Sequence, residues 1–430
     1  MDIKEKLARL DSSSRNQSET PKQNDGWIAS AESELDVKVI RDGSSFFLLK
    51  ENYYPLFESE NSRLIAEGTV SRKFNLIAAE QADKSFHWRK LIFIDLETTG
   101  LAGGTGTYAF LIGLGHIELD HIVVRQYLLP DFSHEWLMLK FVEQAIQSFE
   151  HLASFNGKSF DIPLINSRFI LNRMIPILED MHHVDLLHAS RRIWKRRLPA
   201  CDLQTLESHI LDYQRVGDIP GELIPQLYFE FIRKREAFMM ADVLEHNFHD
   251  IVNLVLLSLK ISAIAESPLE QLHFAQDQYS LAHHYFQNNH FEEAIPLLES
   301  ILNRTESDRE LTLSAFFLSA LIFKKLKKSD ASKKHLWELL NRQYHHPKVI
   351  EELAKFYEHE DKDYATAIQI VEKGLKYLET LQQLESNSDG LKYMPLLRHR
   401  LNRLRRKSVR NSLIAGKKEA EGQNSTVTPI

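Results

Sequence analysis

An apolar run that ends in two carboxylates constrains this chain more than any other stretch. Leu91-Ile92-Phe93-Ile94 reads as a buried strand, and Asp95-Leu96-Glu97-Thr98-Thr99-Gly100 follows it directly. Residues two apart on a strand point to the same face, so Asp95 and Glu97 aim at one spot. Adjacent like charges at the end of a core strand are costly unless a cation neutralises them. Carboxylate oxygens suit hard cations such as Mg²⁺ or Mn²⁺. Two carboxylates alone do not complete a metal site, so further ligands have to come from elsewhere in the chain.

The 430 residues suffice for two or three domains. A formal charge of −7 gives no global basic surface, so any nucleic-acid contact is local. The sole cysteine, Cys201, excludes an internal disulfide and a multi-cysteine zinc site, and fits a reducing compartment. The first residues have no apolar core of a secretory signal. The best apolar run, around Ile251–Leu259, is too short and interrupted for a membrane span. A cytoplasmic protein without membrane contact is the expectation.

Five segments follow along the chain. Residues 1–30 are polar and lack large apolar residues, the composition of disorder. In 31–88, alternation at Val37–Ile40, an Asp42-Gly43 turn and Phe46–Leu49 predict a β-hairpin extension. Residues 89–267 show an α/β pattern: strands at 91–94, 108–117, 121–129 and 152–155, with helices between and after them. In 268–405 helical pairs recur, and Leu281–Tyr285 with Ala294 matches Leu353–Tyr357 with Ala367 at a spacing near that of tetratricopeptide repeats. Residues 406–430 read as a basic, then polar, disordered tail. The arginines and lysine from Arg398 to Arg410 suit either a solvated helix end or a nucleic-acid contact.

Two further acids stand in suggestive contexts. Asp161 follows a strand and a glycine turn in Asn156-Gly157-Lys158-Ser159-Phe160-Asp161, at a helix start where a plain N-cap would also be expected. Asp250 lies in a helical pattern with His246 four positions before it on the same face. Taken alone, that spacing is better explained by an exposed charged pair on a solvated helix.

Taken together, Asp95 and Glu97, then Asp161, then Asp250 with His246, resemble the three-motif signature of the DEDD exonucleases of the ribonuclease H-like superfamily. Residues of about 90–265 followed by helical repeats look like the bacterial YprB-type ribonuclease H-like proteins. The resemblance implies an α/β ribonuclease H-like domain, a mixed sheet flanked by helices, followed by an all-α repeat domain. It implies a 3′→5′ exonuclease in which Asp95, Glu97, Asp161 and Asp250 hold two divalent cations, Mg²⁺ or Mn²⁺, about 3.5–4 Å apart around the scissile phosphate. His246 then orients or deprotonates the attacking water. The family has a tyrosine with three residues before the last acid or a histidine with four. Here the histidine has the tyrosine's spacing, and Glu245 stands where the other histidine would be.

Candidate substrate contacts are Thr98, Asn156, Phe160, Trp194 and Arg196. Asn156 either touches the nucleic-acid backbone or holds its turn. The basic run around Trp194, with Arg196, suits a single strand by backbone contact and base stacking, although amphipathic helix surfaces look similar. Asp185 is either a further acid or a polar strand end, and the Gly103–Thr107 loop either a phosphate contact or a turn. The expected partners are a nucleic acid, single-stranded or with a free 3′ end, and a protein bound by the repeats. The competing function is a nucleic-acid-binding or adaptor protein with a weak or inactive nuclease domain.

Overall fold

The strand that carries Asp95 and Glu97 lies inside a seven-stranded mixed sheet, with antiparallel neighbours on one side and parallel ones on the other. In the computed structural model, residues 26–56, 68–78, 86–100, 106–305, 308–384 and 389–424 are described. The polar segment up to residue 25, residues 101–105 of the glycine loop and residues 425–430 lie outside them. The chain forms two units, residues 1–273 and 274–430.

The first unit has strands β1 (Lys38–Asp42), β2 (Ser45–Pro55), β3 (Thr69–Val70), β4 (Phe86–His87), β5 (Leu91–Thr98), β6 (Ala109–Glu118), β7 (His121–Leu128), β8 (His151–Ser154) and β9 (His182–Asp185). Its helices are α1 (Gly26–Leu35), α2 (Arg72–Ala78), α3 (Glu135–Ile146), α4 (Asp161–Leu171), α5 (Leu186–Trp194), α6 (Leu203–Ile210), α7 (Ile224–Lys234), α8 (Ala241–Glu266) and α9 (Pro268–Gln271). The large sheet runs β1-β2-β7-β6-β5-β8-β9, and β3 and β4 form a separate two-stranded sheet. The pairs from β1 to β5 are antiparallel; β5, β8 and β9 are mutually parallel. This is the mixed sheet with flanking helices that the sequence leads one to expect.

The N-terminal hairpin continues this sheet, because β2 pairs with β7 from Leu48↔Leu128 to Pro55↔His121. Helix α1 begins at Gly26, inside the segment whose composition suggests disorder. Its Ile28, Ala31 and Leu35 form a buried stripe at helical spacing, which an average over a polar segment conceals.

Alternation along β5 separates two chemistries. Ile92, Ile94 and Leu96 join a core with Leu137, Val142, Ile165 and Phe169 from the helices after β7 and β8. The other face carries Phe93 and Asp95 toward α8. Helix α8 is long and apolar enough to cross a membrane by length and composition, but it is mostly buried against the sheet. Its approach depends on two glycines of β6. A Cβ on Gly113 would lie 2.4 Å from Asn247 Oδ1, and one on Gly115 would lie 2.3 Å from Ile251 Cγ2. Both glycines point to the same face, two residues apart, and make room for the helix.

The second unit is helical: α10 (Ala275–Gln287), α11 (Phe291–Leu302), α12 (Arg309–Lys325), α13 (Ser329–Asn341), α14 (Pro347–His359), α15 (Tyr364–Leu384) and α16 (Met394–Asn424). Consecutive helices pack on one another. Ala282, Ala294, Ala320, Ser332, Ala354 and Ala367 are buried. Small side chains of this kind permit close helix approach, and Ser332 Oγ donates to the Ala320 carbonyl at 2.7 Å. Helix α16 continues to Asn424, through most of the polar segment expected to be disordered. Its basic cluster has an internal use. Arg400, Arg403 and Lys407 donate to Glu358, whose side chain has no exposure and whose carboxyl is lowered to about 2. Burial opposes that shift, and Arg403 and Lys407 outweigh it. Arg398 and Arg405 pair with Glu379 and Glu372.

The close approach of α8 gives a direct expectation. Gly113→Ala and Gly115→Ala should each destabilise the protein by roughly 1–3 kcal/mol through overpacking. Urea unfolding checks this, and unchanged midpoints would mean that α8 does not depend on these glycines.

Candidate active site

The sheet and α8 bring the separate acidic motifs to one end of β5. Glu97, His246 and Asp250 each offer a ligand atom, and these atoms lie within 4.8 Å of one another. His246 Nε2 is 3.3 Å from Asp250 Oδ2 and 4.0 Å from Glu97 Oε1. The three side chains are 10–14 % exposed, so the cleft is sunken but open. Asp95 and Asp161 complete the group electrostatically. Burial pushes Asp95 well above the usual carboxylate range, and the charges of Asp250 and Asp161 add to this. Glu97 is likewise raised well above it, by burial first and then by Asp95. Asp161 is raised to about 7 by burial and by Asp185. Crowded acids that resist ionising are what a site built for cations shows in their absence. The donor set, four carboxylates with one imidazole nearby, fits Mg²⁺ or Mn²⁺.

Each acid is held by its local structure. Asp95 Oδ2 accepts from Asn247 Nδ2 at 2.8 Å, and Asn247 Oδ1 accepts from Gln126 Nε2 at 2.9 Å. Gln126 Nε2 also donates to the Leu244 carbonyl at 2.7 Å, so this chain, with Gln126 and Asn247 fully buried, ties β7 and β5 to α8. Asp161 opens α4, where its charge meets exposed backbone N–H groups. The preceding turn requires Asn156 in the left-handed region at φ +62° and a residue without Cβ at Gly157. A Cβ there would lie 2.2 Å from Ser154 Oγ and 3.2 Å from Asp161 Oδ2. Asp185 holds that turn: its carboxylate accepts from the backbone N–H of Asn156 at 2.9 Å and of Lys158 at 3.2 Å, and it caps α5 through Leu187 at 3.1 Å. Buried Arg168 grips Glu135 through two hydrogen bonds and lies over the Tyr108 ring at 3.8 Å, which joins α4, α3 and the start of β6.

Two charged residues outside the acidic motifs flank His246, and a third, Glu207, anchors one of them. Asp218 Oδ1 stands 2.7 Å from His246 Nδ1. Arg215 donates to Glu207, to Asp218 Oδ2 at 3.1 Å and to Asp250 Oδ1. Burial pulls the His246 pKa down, but the Asp218 hydrogen bond and the charges of Asp250 and Asp218 leave it raised. The contacts that reach His246 and Asp250 span 28 residues or more, so spacing along the sequence gives no signal for them. Gln126 left a faint one, as a polar residue within the apolar run of β7.

The remaining candidates divide. Glu245 is 65 % exposed and pairs with His249, which also contacts the Tyr213 hydroxyl, so His246 alone of these three faces the acids. Thr98 Oγ1 donates to the Gly100 carbonyl at 3.0 Å. Asn156 shapes its turn. Phe160, next to Asp161, exposes more than half of its side chain. Arg196 is exposed. Trp194 corrects the expectation of base stacking: it is 1 % exposed, on the inward face of α5 beside buried Ile193 and Ser190, so its ring is not open to a base.

The raised pKa of Asp161 fixes a sign. The folded site keeps this proton to about pH 7, whereas an unperturbed aspartate releases it near 3.8. Over that window the folded state binds more protons than the unfolded chain, so this residue's contribution to stability falls as pH rises. In chelator, Asp161→Asn should therefore gain stability relative to the unsubstituted protein between pH 4 and 7. Mn²⁺ should stabilise the unsubstituted protein more at pH 8 than at pH 5. Thermal melts check both, and a pH-independent difference would contradict the shared site.

Comparison with known proteins agrees with this construction. Residues 92–262, which span β5 to α8, match the family described as the RNase_H superfamily. The chain is 31 % identical over 375 residues to the uncharacterized protein YprB of Bacillus subtilis (strain 168), covering 84 % of this chain and 86 % of YprB. A solved family B DNA polymerase from the hyperthermophilic archaeon Pyrobaculum calidifontis aligns over 59 % of this chain and 50 % of its own, at 9 % identity and a TM-score of 0.30, too low an agreement to carry an inference. The core strand, acidic cleft and long docking helix all lie inside the matched region, so the chain carries an RNase H superfamily domain over residues 92–262, and as a whole it belongs to the family of Bacillus subtilis YprB.

Proposed function

We propose that this protein is a metal-dependent 3′→5′ exonuclease that hydrolyses phosphodiester bonds of DNA or RNA by a two-metal mechanism. The observation that carries the reading is the meeting of Asp95, Glu97, Asp161 and Asp250, from three separated motifs, in one cleft with His246. Divalent cations bound there would supply charge stabilisation to the scissile phosphate and acidify a water. Asp95, Glu97, Asp161 and Asp250 would hold them. Asp95, Glu97 and Asp161, whose carboxyls are held above the usual range, would give up protons as the cations bind.

His246 Nε2 faces the same cleft and serves the attacking water, as acceptor of its proton or as the group that orients it. The exposed ring of Phe160 offers a stacking surface for a terminal base beside Asp161. Exposed Arg196 offers a backbone contact. The direction of digestion follows from the resemblance of the three motifs. In the helical unit, the paired helices and their buried alanines support a tetratricopeptide-like reading, in which the repeats dock a protein partner.

The test is digestion of 5′-labelled single-stranded DNA and RNA with Mg²⁺ or Mn²⁺. A ladder shortening from the 3′ end is expected. Asp95→Ala and Asp250→Ala should each lower the rate roughly 100-fold or more. Absence of digestion with both metals and both substrates would contradict the proposal and favour the binding-protein alternative. Equal digestion by all three proteins would trace the activity to a contaminant.

A further inference from the structure

The segment between α6 and α7 delivers Arg215 and Asp218 to the ring of His246, although neither belongs to an acidic motif. Asp218 Oδ1 is 2.7 Å from His246 Nδ1. An ionised carboxylate only accepts hydrogen bonds, so this contact requires a hydrogen on Nδ1. The competing neighbour is Arg215 Nη1, a donor at 3.5 Å from the same nitrogen, which would require Nδ1 to be bare. The shortest contact wins: a bare Nδ1 2.7 Å from the Asp218 oxygen would set two lone pairs against each other more severely than a bare Nε2 3.3 Å from Asp250 Oδ2.

Asp218 is itself fixed. Its Oδ1 accepts from the backbone N–H of Ile219 at 2.9 Å, and its Oδ2 accepts from Arg215 Nη1 at 3.1 Å. Arg215 is anchored on buried Glu207 and also donates to Asp250 Oδ1. One oxygen of Asp250 and one nitrogen of His246 are thus engaged on the outer side. Asp250 Oδ2 and His246 Nε2 are left facing each other and Glu97.

We propose that Asp218 is a positioning residue: it holds neutral His246 as the Nδ1–H tautomer, so that Nε2 presents its lone pair to the acidic cleft. A neutral imidazole has one donor nitrogen and one acceptor nitrogen, and the partner of one decides the role of the other. Arg215 supports the arrangement by clamping Asp218 and Asp250 together. The use made of the lone pair rests on the exonuclease reading; the tautomer does not.

The test is a two-bond ¹H–¹⁵N correlation spectrum of the full-length protein, labelled in histidine and held in chelator at a pH where His246 is neutral by its own titration. Loss of a signal set in His246→Gln assigns the ring. The proposal expects a protonated Nδ1 and a bare Nε2. In Asp218→Ala, Arg215 becomes the neighbour of Nδ1, and the ring should shift toward the Nε2–H tautomer. A protonated Nε2 in the unsubstituted protein would overturn the proposal, and so would an unchanged tautomer in folded Asp218→Ala. If that variant does not fold, the spectrum of the unsubstituted protein decides alone. Kinetically, Asp218→Ala should lower kcat roughly 10–100-fold with little change in KM, and Asp218→Glu should recover part of the loss. The expected tautomer in a protein that digests neither substrate would sink the exonuclease reading and leave the role of Asp218 standing.

Discussion

Mutual repulsion among Asp95, Glu97, Asp161 and Asp250 is the constraint that the surrounding structure has to hold in check. Burial and neighbouring charge push Asp95, Glu97 and Asp161 toward the protonated form. Without rigid support such a group would splay apart or draw in water. Here each acid sits on an element fixed elsewhere: β5 within the sheet, the first turn of α4, and the middle of α8. The acids stay together because the elements cannot easily move.

Support for α8 comes from two sources of different character. The absence of side chains at Gly113 and Gly115 lets the helix sit directly on the sheet, with Asn247 and Ile251 in the space that side chains there would fill. The Gln126–Asn247–Asp95 chain then fixes which turn of the helix faces which strand. Apolar contact supplies most of the adhesion, whereas the buried amides give it direction, because an unpaired amide there would cost roughly 1–3 kcal/mol. The same docking that stabilises the domain therefore sets the position of His246 and Asp250. Arg215 adds a fixed positive charge on the outer side of Asp250, which lowers the repulsion without filling the cleft.

Much of this was legible in the chain. The apolar run to Ile94 is readable as a core strand because burial on both faces leaves no polar alternation. The acids of the three motifs are readable because carboxylates at a strand end, a helix start and a helix face follow simple periodicities. Contacts made by tertiary packing were not legible. Asp218 and Arg215 lie in an irregular segment whose path depends on α6 and α7. Trp194 illustrates a real ambiguity: an aromatic flanked by basic residues has the same pattern on a nucleic-acid surface and on an amphipathic helix with a buried face. The basic residues of α16 were equally ambiguous until Glu358 was seen beneath three of them. Strand alternation announced the β1–β2 hairpin, but nothing local names β7 as its neighbour.

The central claim is that these acids converge in order to bind divalent cations. Diffraction from crystals grown with Mn²⁺, with data collected at the manganese absorption edge, tests it most directly. The account predicts anomalous peaks in the cleft, within coordination distance of Asp95, Glu97, Asp161 and Asp250. Well-ordered crystals with no peak there, or with Asp161 or Asp250 turned out of the cleft, would contradict it.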